Sequence, residues 1–154
     1  MKQFEILDIS GDAGIRAFGH DLPELFVNAG IGMYNLITDI ADIQEKKPLE
    51  ISVQGSSREG LLVSFLNELI FHFDTYGFVG KSVSIKKLPS DKLTDLPTGE
   101  PEFRRAYRLE AKLTGEEFDP DRHKGKLLIK AATYHKLLIE KIDGLYQAEI
   151  IFDI

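Results

Sequence analysis

Apolar residues recur at intervals of three and four in two stretches of the chain, a pattern typical of helices with one buried face. The first stretch follows Asp21-Leu22-Pro23-Glu24, where a capping Asp, an early Pro and a Glu three residues on indicate a helix start. The second stretch follows Ser56 and Glu59, another capping box, and Gly77 predicts its end. Two long helices are therefore expected, with the apolar stripes Leu22, Leu25, Phe26, Ala29, Met33, Leu36, Ile37, Ile40 and Leu61, Leu62, Phe65, Leu66, Leu69, Ile70, Phe73.

Alternation of apolar and polar residues predicts strands around these helices. Strands are expected over 4–10, 15–19, 49–54, 79–88, 107–113, 127–129, 135–142 and 146–153, with a glycine-marked turn at 11–14, a loop at 89–101, a polar stretch at 114–125 and a hairpin at Asp143-Gly144. Because strands outnumber helices and the helices come early, the pattern favours an α+β fold. In this fold two long helices pack on one face of a mainly antiparallel or mixed β-sheet.

The composition is that of an ordinary globular domain. At 154 residues, with 43% hydrophobic and 29% charged residues, the chain is predicted to form a single domain over residues 1–154. There is no cysteine, which excludes disulfides and thiolate metal sites. The first residues lack the apolar segment of a secretory signal, and no apolar run reaches the roughly 18 residues of a membrane span. We therefore expect a cytoplasmic protein without a membrane partner.

The charge balance narrows the class of partners. Nineteen Lys and Arg against 25 Asp and Glu give a formal net charge of −6. A surface of this sign disfavours direct binding of RNA phosphates over the whole protein. A local basic patch stays open as an alternative, but a function connected with RNA is expected to act through another protein.

The chain end carries the clearest candidate for chemistry. Common catalytic motifs are absent, including the P-loop, G-x-G-x-x-G, H-E-x-x-H and G-x-S-x-G. The last strand, however, ends in Asp153-Ile154, so a side-chain carboxylate adjoins the α-carboxylate, and Asp12 on its glycine-flanked bend would add a third. Clustered carboxylates repel one another unless a cation lies between them, and all-oxygen ligands select calcium, magnesium or manganese. The alternative is that both aspartates are ordinary turn and edge residues.

Several segments resemble the archease family, and together they span nearly the whole chain. The most specific is Ile129-Lys130-Ala131-Ala132-Thr133-Tyr134-His135, which is similar to the family's Val-Lys-Ala-x-Thr-Tyr-His block. Residues 8–17 resemble the His-Thr-Ala-Asp-hydrophobic-Gly signature, and Ile151-Phe152-Asp153-Ile154 is similar to its C-terminal ending. Further likeness lies in Leu61-Leu62 with 65–69, and in Gly115-Glu116 with Asp119 and His123. One departure is that Ile9 stands where the signature usually has His, which would alter metal affinity or partner matching.

The resemblance implies a non-enzymatic cofactor of an RtcB-type RNA ligase. Archeases promote guanylylation of the ligase's active-site histidine by GTP and allow multiple turnover, as in tRNA splicing. The implied ligands of a divalent ion, calcium or alternatively magnesium or manganese, are Asp12, Asp153 and Ile154. Lys130 is implied as a contact to a phosphate group or to the partner protein. Contact with RNA is implied only indirectly, through the ligase.

Other interpretations remain beside this one. A direct RNA chaperone would bind RNA in a strongly salt-dependent way, and the acidic composition argues against it. A stand-alone metal-dependent phosphate-ester hydrolase would need a general base near the ion, and the sequence offers none. Lys130 alternatively lies on the surface as a solvated lysine, and Glu116, Glu117, Asp119 and Asp121 are expected in a solvated loop. His123 and His135 are expected to be structural or exposed rather than ligands.

Overall fold

The computed structural model describes residues 2–87 and 107–154. The elements in chain order are β1 (Phe4–Ile9), β2 (Asp12–Gly19), α1 (Leu22–Ile37), a 3-10 turn (Ile40–Asp42), β3 (Lys47–Gly55), α2 (Arg58–Tyr76), β4 (Phe78–Lys87), β5 (Tyr107–Glu117), β6 (Ala131–Ala132), β7 (Glu140–Ile142) and β8 (Leu145–Asp153). The loop predicted at 89–101 lies outside the described residues. No helix in the described part of the chain is long and apolar enough to cross a membrane.

The strands form two sheets in which every described pairing is antiparallel. One sheet has the order β1-β2-β8-β6, with β7 also paired to β8, and the other has the order β3-β5-β4. The α+β class with two long helices and antiparallel pairing is confirmed. The strands are divided between two sheets, whereas the sequence pattern suggested one.

Both helices begin at a residue whose side chain accepts a hydrogen bond from a backbone N–H of the first turn. The Asp21 carboxylate accepts from the backbone N–H of Glu24 at 2.9 Å, as the sequence predicted. For α2 the cap is Ser57 rather than Ser56, since the Ser57 hydroxyl accepts from Gly60 N–H at 2.9 Å. Gly77 ends α2 with φ +72°, a left-handed conformation that glycine adopts without strain.

The first helix is shorter than its apolar stripe suggested. It ends at Ile37, and the backbone N–H of the extended residue Thr38 donates to the Tyr34 carbonyl. Ile40 therefore lies in the following 3-10 turn, where it is only partly buried. An apolar residue at helical spacing can pack on the core from such a turn, so the spacing did not mark the helix end.

The core is shared by the helices and the inner faces of both sheets. The first helix packs against β2 and β4, and the second packs against β3, β5 and β6. Phe26 of α1 and Phe65 of α2 are buried with ring centroids 6.0 Å apart. Ala148, Ile150 and Phe152 of β8 are buried, which confirms the alternation predicted for the last strand. The helices thus fix the inner face of the sheet whose end carries the predicted metal ligands.

Four predicted strand and loop boundaries are wrong for identifiable reasons. The turn at 11–14 is confined to its start, because β2 already begins at Asp12 and Gly14 lies inside the strand. The polar stretch at 114–125 begins as the end of β5, and its Glu116 is buried.

The strand predicted at 127–129 is absent, since Lys126 and Leu127 donate backbone bonds of 2.9 and 3.1 Å to the C-terminal carbonyls of α1. The strand predicted at 135–142 is reduced to β7, because Lys136 has φ +54° in a turn closed by Leu137 N–H to Tyr134 O at 3.1 Å.

Candidate metal and partner site

A two-residue turn places Asp12 at the start of β2. Gly11 has φ +81°, and Ile9 and Asp12 face each other as the closing pair of the β1–β2 hairpin. A Cβ atom at position 11 would meet no atom within 4 Å, so the available space does not require glycine there. The positive φ of this residue, however, favours glycine. Asp12 is exposed at the end of the sheet rather than on a wider bend.

The strand register brings Asp12 beside Asp153. Ala13 of β2 pairs with Phe152 of β8, and both are buried. Asp12 and Asp153 each lie one residue beyond this pair on adjacent antiparallel strands, so their exposed side chains lie on the same face. Directly opposed residues in such a ladder have Cβ atoms about 4.5–5.5 Å apart. Two of the predicted metal-ligating residues are therefore neighbours in the fold.

The segment with Lys130 joins the other side of β8 at the same end. Lys130 N–H donates to the Asp153 carbonyl at 2.8 Å, and Ala131 pairs with Asp153. Thr133 donates to the Ile151 carbonyl through its amide at 3.0 Å and its hydroxyl at 2.8 Å. Three adjacent chain segments thus bring Asp12, Asp153 and the base of the exposed Lys130 side chain together.

An asparagine of α2 fixes this segment from the core side. Asn67 Oδ1 accepts from the Ala132 amide at 2.8 Å, and its Nδ2 donates to the Ala132 carbonyl at 3.4 Å. Both the N–H and the carbonyl of Ala132 are therefore hydrogen-bonded to one side chain, as they would be to a neighbouring strand. Sequence reasoning did not identify Asn67 as a positioning residue, although it lies inside the matched second-helix stretch.

Ile9 and Gly14 shape the surface next to the two aspartates. A Cβ at Gly14 would lie 2.8 Å from Ile9 Cδ1 and 3.2 Å from the Ile150 carbonyl oxygen. The Ile9 side chain therefore covers the strand at Gly14, on the face that also carries Asp12. At the position where the signature usually has a histidine, this chain therefore has the aliphatic side chain of Ile9.

The donor chemistry at this end suits a hard cation. Asp12, Asp153 and the Ile154 carboxylate offer only oxygen, the ligand type preferred by calcium, magnesium and manganese. Among the described residues no group of three or more His, Cys, Asp and Glu side chains forms a metal cluster. The structure thus brings two side-chain carboxylates together, and Ile154, the third predicted ligand, follows Asp153 and is 43% exposed.

A second polar centre, which the sequence pattern predicts in a solvated loop, is buried in the structure. Glu116 is 3% exposed and His123 is 2% exposed. The Glu116 carboxylate accepts from the Gln44 amide at 2.5 Å, and it also pairs with Arg122 and with His123 Nε2 at 3.1 Å. His123 Nδ1 accepts from Asp119 N–H at 2.8 Å, so the Nε2 proton points to Glu116.

The charges in this second centre favour an ionised Glu116. Burial opposes ionisation, but the Gln44 amide, the Arg122 guanidinium and the His123 N–H outweigh it and lower the pKa of Glu116 from 4.5 to about 2. All polar groups of Glu116 and His123 are occupied within the fold. The structural role expected for His123 is confirmed, and this centre does not belong to the candidate metal site.

Comparisons with known proteins agree with this architecture. The family model described as Archease protein family (MTH1598/TM1083) matches residues 4–154. The chain is 34% identical over 155 residues to the protein archease of Pyrococcus abyssi and 31% identical over 154 residues to that of Methanothermobacter thermautotrophicus, covering 100% of both sequences in each case.

Solved structures show the same fold. The solution structure of Methanobacterium thermoautotrophicum protein 1598 superposes with a TM-score of 0.73 at 30% identity, covering 100% of both chains. The crystal structure of a Thermotoga maritima protein, described as an archease and possible chaperone, gives a TM-score of 0.54 at 14% identity over 96% of this chain and 94% of that one. The fold is therefore that of the archease structures. Together with the family match over nearly the whole sequence, this shows that the chain belongs to the archease family.

Proposed function

We propose that this protein is a metal-binding activator of an RtcB-type RNA ligase, acting in the cytoplasm in tRNA splicing or RNA repair. In this role it promotes guanylylation of the ligase's active-site histidine by GTP and permits multiple turnover. Membership of the archease family supports the proposal. The observation that carries it is the β2–β8 register, which sets Asp12 beside Asp153 at the end of the sheet.

The metal-binding part of the proposal rests on the donor set. Asp12, Asp153 and the carboxylate of Ile154 would hold the ion, for which calcium is the first choice and magnesium and manganese are the alternatives. A bound cation with open coordination positions supplies positive charge for the oxygens of a phosphate or of a partner carboxylate. The protein's own contribution is to hold its carboxylates on paired strands.

Lys130 is proposed to contact a phosphate group or the partner protein. Its backbone is fixed by the 2.8 Å bond to the Asp153 carbonyl, while its side chain is exposed. Within the described residues its ammonium group has no ion pair or hydrogen bond. The charge is therefore available at the end of the sheet that carries the two aspartates, where it can neutralise an incoming anion.

The proposal is tested by measuring guanylylation of the cognate ligase with GTP, with and without this protein. Wild-type protein should accelerate the transfer, and Asp12→Asn should remove the acceleration. Asp8→Asn is the matched control, because Asp8 pairs with Ala13 and so its side chain starts from the other face of the sheet. No acceleration by wild type would overturn the proposal. Metal-dependent turnover of phosphate esters by the purified protein alone would support a hydrolase instead.

A further inference from the structure

The segment 124–142, here called the basic segment, differs in charge from the rest of the chain. It holds five lysines and one glutamate, a net charge of +4. The rest of the chain carries a net charge of −10, which gives the total of −6. All five lysines are exposed, and Lys130 and Lys136 have no ion pair within the described residues. The unpaired Lys130 and Lys136 are therefore cations available to an acidic partner.

The basic segment also carries much of the exposed apolar surface. Four of the eight large hydrophobic side chains exposed in the described residues belong to it, namely Leu128 at 70%, Tyr134 at 63%, Leu138 at 55% and Ile142 at 45%. Exposed apolar groups set among charges are typical of protein interaction sites, where an apolar centre has a polar rim.

The path of the basic segment makes it a border of the candidate metal site. It leaves the end of α1 at Leu127, joins the end of β8 at Lys130, and returns to pair with the beginning of β8 through β7. A cavity of about 450 Å³ lies between this return path and β8, lined by Arg16, Lys136, Leu138, Glu140, Gln147 and Glu149 among others. Lys136 and Leu138 therefore flank a recess that a partner side chain can enter.

We propose that the basic segment docks on an acidic, apolar-centred surface of the ligase, with Leu138 as the apolar contact and Lys130 and Lys136 as the charged rim. This inference rests on the proposed function and assigns the surface through which it is carried out. Docking along this border brings Asp12 and Asp153 to the ligase, because Lys130 adjoins Asp153.

A protein surface fits these observations better than RNA does. Leu128, Leu138 and Ile142 are aliphatic and offer no ring on which a base can stack. Asp153, whose backbone Lys130 contacts, and the neighbouring Asp12 add two carboxylates at this end of the sheet, which repel phosphates where no cation is bound. The net charge of −6 also opposes the approach of RNA over longer distances.

The test compares binding of the cognate ligase by surface variants with matched controls. Leu138→Asp is paired with Ile6→Asp, an exposed aliphatic residue on β1, and Lys136→Glu is paired with Lys47→Glu, an exposed lysine on β3. Each pair makes the same chemical change, so nonspecific effects of net charge cancel. Circular dichroism melts check that the variants fold.

Leu138→Asp and Lys136→Glu should weaken ligase binding by about tenfold or more, while the controls stay within about twofold of wild type. Calorimetric binding of calcium should be the same in all four variants and wild type. Guanylylation should recover in the two surface variants at saturating concentration, because docking rather than the metal site is altered.

The remaining outcomes distinguish failure of the docking proposal from failure of the proposed function. If wild type stimulates guanylylation and all variants bind the ligase equally, the docking surface is wrong and the proposed function stands. If wild type neither binds nor stimulates the ligase, the proposed function fails and the docking proposal with it. If Lys136→Glu loses binding of a single-stranded RNA oligomer but keeps ligase binding, the surface serves RNA and the docking proposal is overturned.

Discussion

Replacing the buried Glu116 by Gln should destabilise the protein in a pH-dependent way. The carboxylate has four donors or cations around it, from Gln44, Arg122, His123 and Lys46, the last at 3.7 Å. Glutamine keeps the size of the side chain but leaves Arg122 and His123 without the charge that they face. Because Arg122 and Lys46 are partly exposed, the cost is that of leaving buried hydrogen-bonding groups without their charged partner, about 1–3 kcal/mol.

The pKa of Glu116 gives an independent magnitude. A fall from 4.5 in the unfolded chain to about 2 in the folded protein corresponds to about 3 kcal/mol at neutral pH, since one pKa unit is about 1.4 kcal/mol. Because the folded pKa is depressed, this stability is fully present above pH 4.5 and is lost as the pH falls towards 2. At pH 3 about 1 kcal/mol of the contribution should remain.

The assay is urea unfolding of wild type and Glu116→Gln at several pH values between 7 and 3. The difference in the free energy of unfolding should be about 3 kcal/mol at pH 7 and should shrink below pH 4.5. Glu50→Gln, which removes an exposed pair with Lys86, should change the free energy of unfolding far less. A difference below about 1 kcal/mol at pH 7, or one independent of pH, would refute the reasoning about Glu116.

Three further predictions concern the surroundings of the candidate site. Gly14→Ala should lower the free energy of unfolding by about 1–3 kcal/mol, and Ile9→Val should restore part of it by removing Cδ1; no rescue in urea unfolding of the double variant would contradict this contact. Asn67→Ala should cost about 1–3 kcal/mol and speed hydrogen exchange of the Ala132 amide, and unchanged exchange would show that the side chain does not fix this segment. Ile9→His should raise affinity for Zn²⁺ relative to Ca²⁺ by adding an imidazole opposite Asp12, as measured by calorimetry, and an unchanged ratio would place Ile9 outside the ion's reach.

The helices and most strands could be predicted because their signals are local. Apolar spacing, the Asp21 cap and the positive φ of Gly77 depend on neighbouring residues only. The Asp143-Gly144 hairpin has both residues at positive φ, 52° and 80°, as the dipeptide predicts. The segment 126–139 could not be predicted, because its backbone bonds go to α1 and to side chains such as Asn67 and Glu59. Such partners leave no periodicity in the segment itself.

The candidate site could be predicted only in part for the same reason. Asp12, Asp153 and Lys130 were identified from the chain end and the family resemblance, and the structure brings all three segments together. Their roles as metal ligands and as a phosphate contact stay predictions. The buried position of Glu116 was missed because acidic residues in a polar stretch usually lie in solvent, and only folding supplies Gln44 and His123 as partners.

The most direct test of the central claim is calorimetric titration of calcium, magnesium and manganese into wild type, Asp12→Asn, Asp153→Asn and the control Asp8→Asn. Wild type and Asp8→Asn should bind one of these ions with the same affinity. Each of the other two substitutions should weaken binding by about tenfold or more, equivalent to at least about 1.4 kcal/mol. Binding by Asp12→Asn equal to that of wild type, or no binding of any of the three ions by wild type, would contradict a metal site formed by these two strands.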